Sequence, residues 1–303
     1  MQTILGANGA IAIQLSKYLP YYTTQLRQVS RNPKKVNETD ELVSADFLSY
    51  EQTEKAVAGS EVVYFMAGLK YDINVWQRDW PILMRNVVNV CKKHNAKLVF
   101  FDNVYPYGFV KGPMTEETPF NPISKKGEVR AKVDTMLLDE IKAKNLNGMI
   151  VRAADFYAPN VLLSLPYTLV TEKLKAKKTS QWFGNAKAVH SFTYTPDAGK
   201  CVALLGNTPS AFNQTWHALT SNEKITGEAY VKIACELANR PYKIQPLSKG
   251  MVKMIGLFVP VLKEFGEMMY QYENDYFFDS SKFEKTFNLT ATSYRAGIAE
   301  TLK

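Results

Sequence analysis

Apolar positions recur at two spacings along this chain, and the alternation between them organises its first half. Thr3-Ile4-Leu5 is a short apolar run, Gly6-Ala7-Asn8-Gly9-Ala10-Ile11-Ala12 follows it, and Ile13-Gln14-Leu15-Ser16-Lys17-Tyr18-Leu19 returns at helical spacing. That is a strand, a glycine turn and a helix. The pattern then repeats with a strand over residues 25–30, an extended stretch at 44–48, a helix over about 50–58 and a strand over 61–66 that ends in Ala67-Gly68. A helix over residues 76–94 carries Ile82-Leu83, Asn86-Val87 and Val90-Cys91 on one face, with Pro81 suited to a first turn. It feeds a strand over 97–101, a long helix from about 125 to 144 and a strand over 148–152. Strands and helices in alternation predict an α/β fold with a parallel sheet.

Beyond about residue 160 the alternation loosens. Strands at 189–194 and 214–219, helices at 196–205 and 227–239, and a Met/aromatic stretch at 248–272 follow without a fixed period. The expected organisation is a dinucleotide-binding domain over 1–160 and a smaller, interleaved C-terminal substrate lobe over 161–303, with about 189–205 returning to the core. The late stretch holds Met251, Met254, Phe258, Phe265, Met268, Met269, Tyr270 and Tyr272 and reads as core or as the wall of an apolar substrate pocket.

The glycine turn carries the first functional signal. Gly6 permits a tight turn, Gly9 leaves room for a pyrophosphate, and Asn8, Ala10 and Ile11 complete a turn that opens on free helix N–H groups. The arrangement is that of a Rossmann-type, doubly wound sheet. About 20 residues on, where an NAD site usually places an acid, the chain has Ser30-Arg31. A hydroxyl and a cation suit a 2′-phosphate, so the expected cofactor is NADP(H). Asp46, with Phe47 beside it, stands where a strand end meets the adenine, and Ala67-Gly68 are small enough to let a dinucleotide cross the sheet edge.

Charge and composition narrow the rest. The 303 residues carry a formal charge of +8, but the lysines are dispersed apart from a cluster at 173–178, so no nucleic acid is expected. No apolar run reaches the roughly 18 residues of a membrane span, and neither a membrane nor a signal peptide is expected. Cys91, Cys201 and Cys235 are widely spaced and read as buried small hydrophobes in a cytoplasmic protein. His94, His190 and His217 lack ligand spacing, which predicts no metal site, and Ser124 and Ser164 lack a nucleophile-elbow setting. The first strand starts almost at Met1, an expectation that a few of its usual residues are missing.

These residues together resemble the short-chain dehydrogenase/reductase superfamily in its extended, NAD-dependent epimerase/dehydratase-like form. The resemblance runs over essentially the whole chain: Gly6 to Ile11, Asp46, Met66-Ala67-Gly68, Asn86, Tyr107-Gly108, Arg152 with Phe156-Tyr157-Ala158-Pro159, and the run Ser191 through Asp197. It implies cofactor contacts at Met66, Asn86 and Phe156. It also implies a catalytic hydroxyl after the fourth strand and a tyrosine and lysine four residues apart on the next helix. At those places this chain has Asn103, Lys126 and Arg130.

Two readings follow from the replacement. In one, Lys126 is the acid, its proton loosened by desolvation and by Arg130 one turn away, with Tyr105, Tyr107 or Tyr157 as substitutes and Asn103 orienting the substrate. The protein is then an NADP(H)-dependent oxidoreductase that reduces a carbonyl or conjugated double bond of a small molecule, and a homodimer is allowed. In the other, Lys126 and Arg130 only hold ribose and phosphate, and the protein is a catalytically inactive NADP(H)-binding sensor or partner-binding protein. A sugar-nucleotide epimerase or dehydratase is the third alternative.

Overall fold

The computed structural model describes residues 1–162 and 164–303. Its centre is a seven-stranded parallel sheet built from β1 (Gln2–Leu5), β2 (Leu26–Ser30), β3 (Glu41–Ser44), β4 (Val62–Phe65), β5 (Lys97–Asp102), β6 (Gly148–Arg152) and β7 (Thr215–His217). The spatial order is β3-β2-β1-β4-β5-β6-β7, with Leu5 opposite both Val29 and Phe65 and Asp102 opposite Arg152. Strands buried on both faces need no polar alternation, which is why β1, β4 and β6 are buried throughout. The order reverses between β1 and β4, the crevice where open sheets of this kind bind ligands.

Helices α1 (Ala10–Tyr18), α2 (Tyr50–Val57), α3 (Ile73–Lys93), α4 (Lys125–Lys142) and α5 (Thr195–Gly206) cover the two faces. One core joins α3 and α4 to the sheet through Trp80, Leu83, Val87, Val133 and Leu137. The other joins α1 and α5 through Ile11, Leu15, Ala198 and Val202. Residues 195–206 thus lie on the main sheet, while shorter parallel pairs, Asp155–Tyr157 with Phe192–Tyr194 and Ser180–Phe183 with Ile244–Leu247, lie outside it.

Two boundaries differ from the sequence reading. β3 ends at Ser44, so Asp46 and Phe47 sit in the loop after it. Helix α3 starts at Ile73 because the Asp72 side chain accepts from Asn74 N, which leaves Pro81 inside the helix. Proline removes one backbone donor there, and the burial of Trp76, Trp80, Leu83, Met84 and Val87 outweighs that loss.

Candidate functional site

The candidate cofactor cradle is built at the carboxyl end of β1. Gly6 has φ +93, and a Cβ on it would lie 2.5 Å from the backbone of Ala67, so the turn and the residues after β4 touch only because the side chain is missing. Gly9 caps α1 with no side chain on its first N–H groups. Those donors and the dipole behind them are what a phosphate requires. Asn8, at φ +81, ties this turn to the loop after β2: its Nδ2 donates to Asn32 O at 2.8 Å and Ser30 Oγ at 3.2 Å, and its Oδ1 accepts from Lys34 N at 3.1 Å. Arg31, Lys34 and Lys35 stand exposed on that loop. Asp46 is exposed, with Oδ1 accepting from Leu48 N, while Phe47 is buried. Asn86 donates from α3 to Phe47 O at 2.9 Å and Leu48 O at 3.2 Å. Its amide nitrogen thus holds the Asp46 loop. Met66 and Ala67 are half-buried and Gly68 is exposed on the other side of the crevice. Phe156 is half-buried against the Phe101 ring.

The chemistry end lies beyond β5 and at the start of α4. Ser124 caps α4 by accepting from Gly127 N at 3.0 Å, and a Cβ on Gly127 would fall 2.7 Å from Tyr105 O. The first turn of α4 is thus pressed onto the Tyr105 loop. Asn103 Oδ1 accepts from Tyr105 N at 2.9 Å, the Tyr105 ring stacks on Trp76, and its hydroxyl lies 3.4 Å from that of Tyr71. Burial, with Tyr71 and Asp155 adding to it, holds the Tyr105 hydroxyl well above the ordinary phenol range.

Lys126 is 1% exposed, and its ammonium donates to Glu264 Oε2 at 2.6 Å, Glu267 Oε1 at 3.0 Å and Glu264 O at 3.0 Å, above the Tyr71 ring. All three of its protons are taken. Arg130 lies under Trp80, 4.1 Å from the ring centre, and donates to Asp102. Asp102 also accepts from Arg152 at 2.9 Å, and Arg152 reaches Asp134 at 2.8 Å. Buried charges have to be paired in this way. The two cations expected to act on one another are therefore each paired with carboxylates, Lys126 with Glu264 and Glu267 and Arg130 with Asp102.

Residues 3–217 match the NAD dependent epimerase/dehydratase family. The chain belongs to that family. A 3beta-hydroxysteroid-dehydrogenase/decarboxylase isoform 2 of Arabidopsis thaliana is 25% identical over 166 residues, which is 50% of this chain, and the chain spans 28% of the length of that relative. Among solved structures, UDP-glucuronic acid 4-epimerase of Bacillus cereus with UDP-glucuronic acid and NAD superposes with a TM-score of 0.81 at 15% identity, covering 100% of this chain and 98% of its own. The dTDP-glucose 4,6-dehydratase of Bacillus anthracis with NAD gives 0.79 at 17% identity, covering 100% and 96%. Among the described residues no helix is long and apolar enough to cross a membrane.

Within this epimerase/dehydratase frame, Asn103, Tyr105 and Lys126 gather at the carboxyl edge of the sheet, whereas two tyrosines named as substitutes do not. Tyr107 donates to His217 and lies over Arg152, and Tyr157 is packed among Tyr194, Tyr230 and Tyr294. Both belong to the core. Three acids were missed. Glu264 and Glu267 lie three residues apart inside the Met/aromatic stretch, and that spacing on one helical face was the available signal. Asp155 follows β6 closely; its Oδ2 lies 3.0 Å from His190 Nε2 and accepts from the Tyr272 hydroxyl, with His190 stacked between the Tyr272 and Tyr276 rings. Only the fold brings residues 155, 190 and 272 together.

Proposed function

We propose that the protein is an NADP(H)-dependent oxidoreductase of the epimerase/dehydratase family that reduces a carbonyl or conjugated double bond of a small molecule. The observation that carries the cofactor half is the exposed trio Arg31, Lys34 and Lys35 on the loop that Asn8 fastens to the phosphate turn. A 2′-phosphate there meets cations and no carboxylate of the kind that binds a bare ribose. The close Gly6–Ala67 approach and the uncapped N-terminus of α1 fit the rest of the dinucleotide.

Bound in this cradle, the reduced cofactor supplies hydride. The chain's own part is to deliver a proton to the acceptor atom and to shape the cleft. Tyr105 is the candidate for the proton: among the described residues its hydroxyl has Tyr71 as its hydrogen-bond partner, with Asp155 nearby, and it stays protonated through the neutral range. Asn103 fixes the Tyr105 loop, and Lys126 draws the segment bearing Glu264 and Glu267 over the cleft. Lys126 is the alternative proton source, through the same carboxylates.

A second reading, sugar-nucleotide epimerisation or dehydration, is favoured by the full-length likeness to the UDP-glucuronic acid 4-epimerase and the dTDP-glucose 4,6-dehydratase, both in complex with NAD. Against it stands the replacement of the family's tyrosine and lysine by Lys126 and Arg130, both of them buried in ion pairs. The test is fluorescence titration with NADPH and NADH. Arg31→Asp is expected to weaken NADPH by about tenfold or more while leaving NADH nearly unchanged. Equal weakening of both would remove the 2′-phosphate assignment.

A further inference from the structure

We propose that residues 249–263 form a foot that docks the protein on an anionic lipid surface. The foot consists of two short helices, Lys249–Ile255 and Pro260–Phe265, joined by residues 256–259. Its inner face is already satisfied: Val252, Leu262 and Phe265 pack with Phe183, Met269 and Tyr272. Its outer face is apolar as well, with Met254 60%, Leu257 76%, Phe258 83% and Val261 52% exposed. A helical segment that is apolar on both sides belongs in an interior or against lipid, and here one side faces out.

Charge selects the occupant. The ionisable side chains between 249 and 263 are Lys249, Lys253 and Lys263, all exposed. Lys249 lies 3.8 Å from Glu273, while Lys253 and Lys263 have no acidic partner among the described residues. The next acids, Glu264 and Glu267, turn inward to Lys126. The outward surface therefore combines large apolar tips with cations only, the composition of a segment that lies in the headgroup region of an anionic membrane. A second copy of the chain would bring the same lysines against each other. The segment is too short to span a bilayer but long enough to lie at its surface.

The test is flotation of the full chain with vesicles of phosphatidylcholine alone or with about 30% phosphatidylserine, at low and high salt. The wild type is expected to float with the anionic vesicles, less at high salt, and not with the neutral ones. The double variant Leu257→Ser/Phe258→Ser alters only exposed side chains and is expected to lower the bound fraction by about tenfold or more with an unchanged melting temperature. Lys253→Glu/Lys263→Glu is expected to abolish the preference for anionic lipid. A wild type that stays with the pellet, or flotation that Leu257→Ser/Phe258→Ser leaves intact, overturns the proposal. So does a dimer in sedimentation equilibrium that the same variant dissociates, which would assign the foot to a second copy.

Discussion

His217 illustrates how one buried side chain fixes both a tautomer and a pH dependence. Its Nδ1 lies 2.7 Å from Asp279 O, which can only accept, so the ring proton is on Nδ1 and Nε2 accepts from the Tyr107 hydroxyl at 3.0 Å. Burial lowers its pKa from 6.5 to about 3. The unfolded chain takes up this proton near 6.5 and the folded chain only near 3, so the contribution is whole above 6.5 and is lost as pH falls toward 3. In urea unfolding, this group should remove about 1.4 kcal/mol per pH unit below pH ~6. His217→Gln should be less stable at neutral pH with a shallower acid slope, and an unchanged slope would show that His217 takes up its proton as readily in the folded chain as in the unfolded one. At the chemical edge, Lys126→Met should cut turnover by about 100-fold or more while sparing cofactor affinity. Retained turnover would leave the proton to Tyr105 alone.

The start of α4 shows how an element positions a site. Gly127 is needed because the helix meets Tyr105 O so closely, and Gly127→Ala should cost about 1–3 kcal/mol by thermal or urea unfolding and displace Lys126. A stability equal to wild type would mean that the Tyr105 loop yields freely. Elements of this size were largely legible in the sequence, since the glycine turn, β1 and β4 to β6 follow from apolar runs and their punctuation. The cap at Asp72 was harder to read, because Pro81 offered a stronger-looking start for the same helix. The pairing of Lys126 with Glu264 and Glu267 spans 138 and 141 residues, and no local spacing encodes it. The candidate cofactor end centres on one contiguous turn that the sequence displays, whereas the residues at the other end, 103–105, 124–130, 155 and 264–267, come from separate parts of the chain.

At the scale of the whole molecule, the two parts of the candidate site lie at different parts of the sheet. The phosphate turn, the Arg31 loop and the Asp46 loop lie around β1 to β3, and the tyrosines, Lys126 and the three acids lie beyond β4 to β6. Between them the buried chain Arg130, Asp102, Arg152 and Asp134 ties α4 to β5 and β6 beneath the candidate site, and Lys126 ties the start of α4 to the segment bearing Glu264 and Glu267 above it. The measurement that bears most directly on this account follows the absorbance of NADPH and the products formed with a panel of aldehydes, ketones, quinones and enones, beside UDP- and dTDP-sugars. The account predicts steady NADPH consumption with at least one carbonyl or enone acceptor and no conversion of the sugar nucleotides. Tight NADPH binding with no acceptor reduced, or interconversion of a sugar nucleotide without net cofactor consumption, would contradict it.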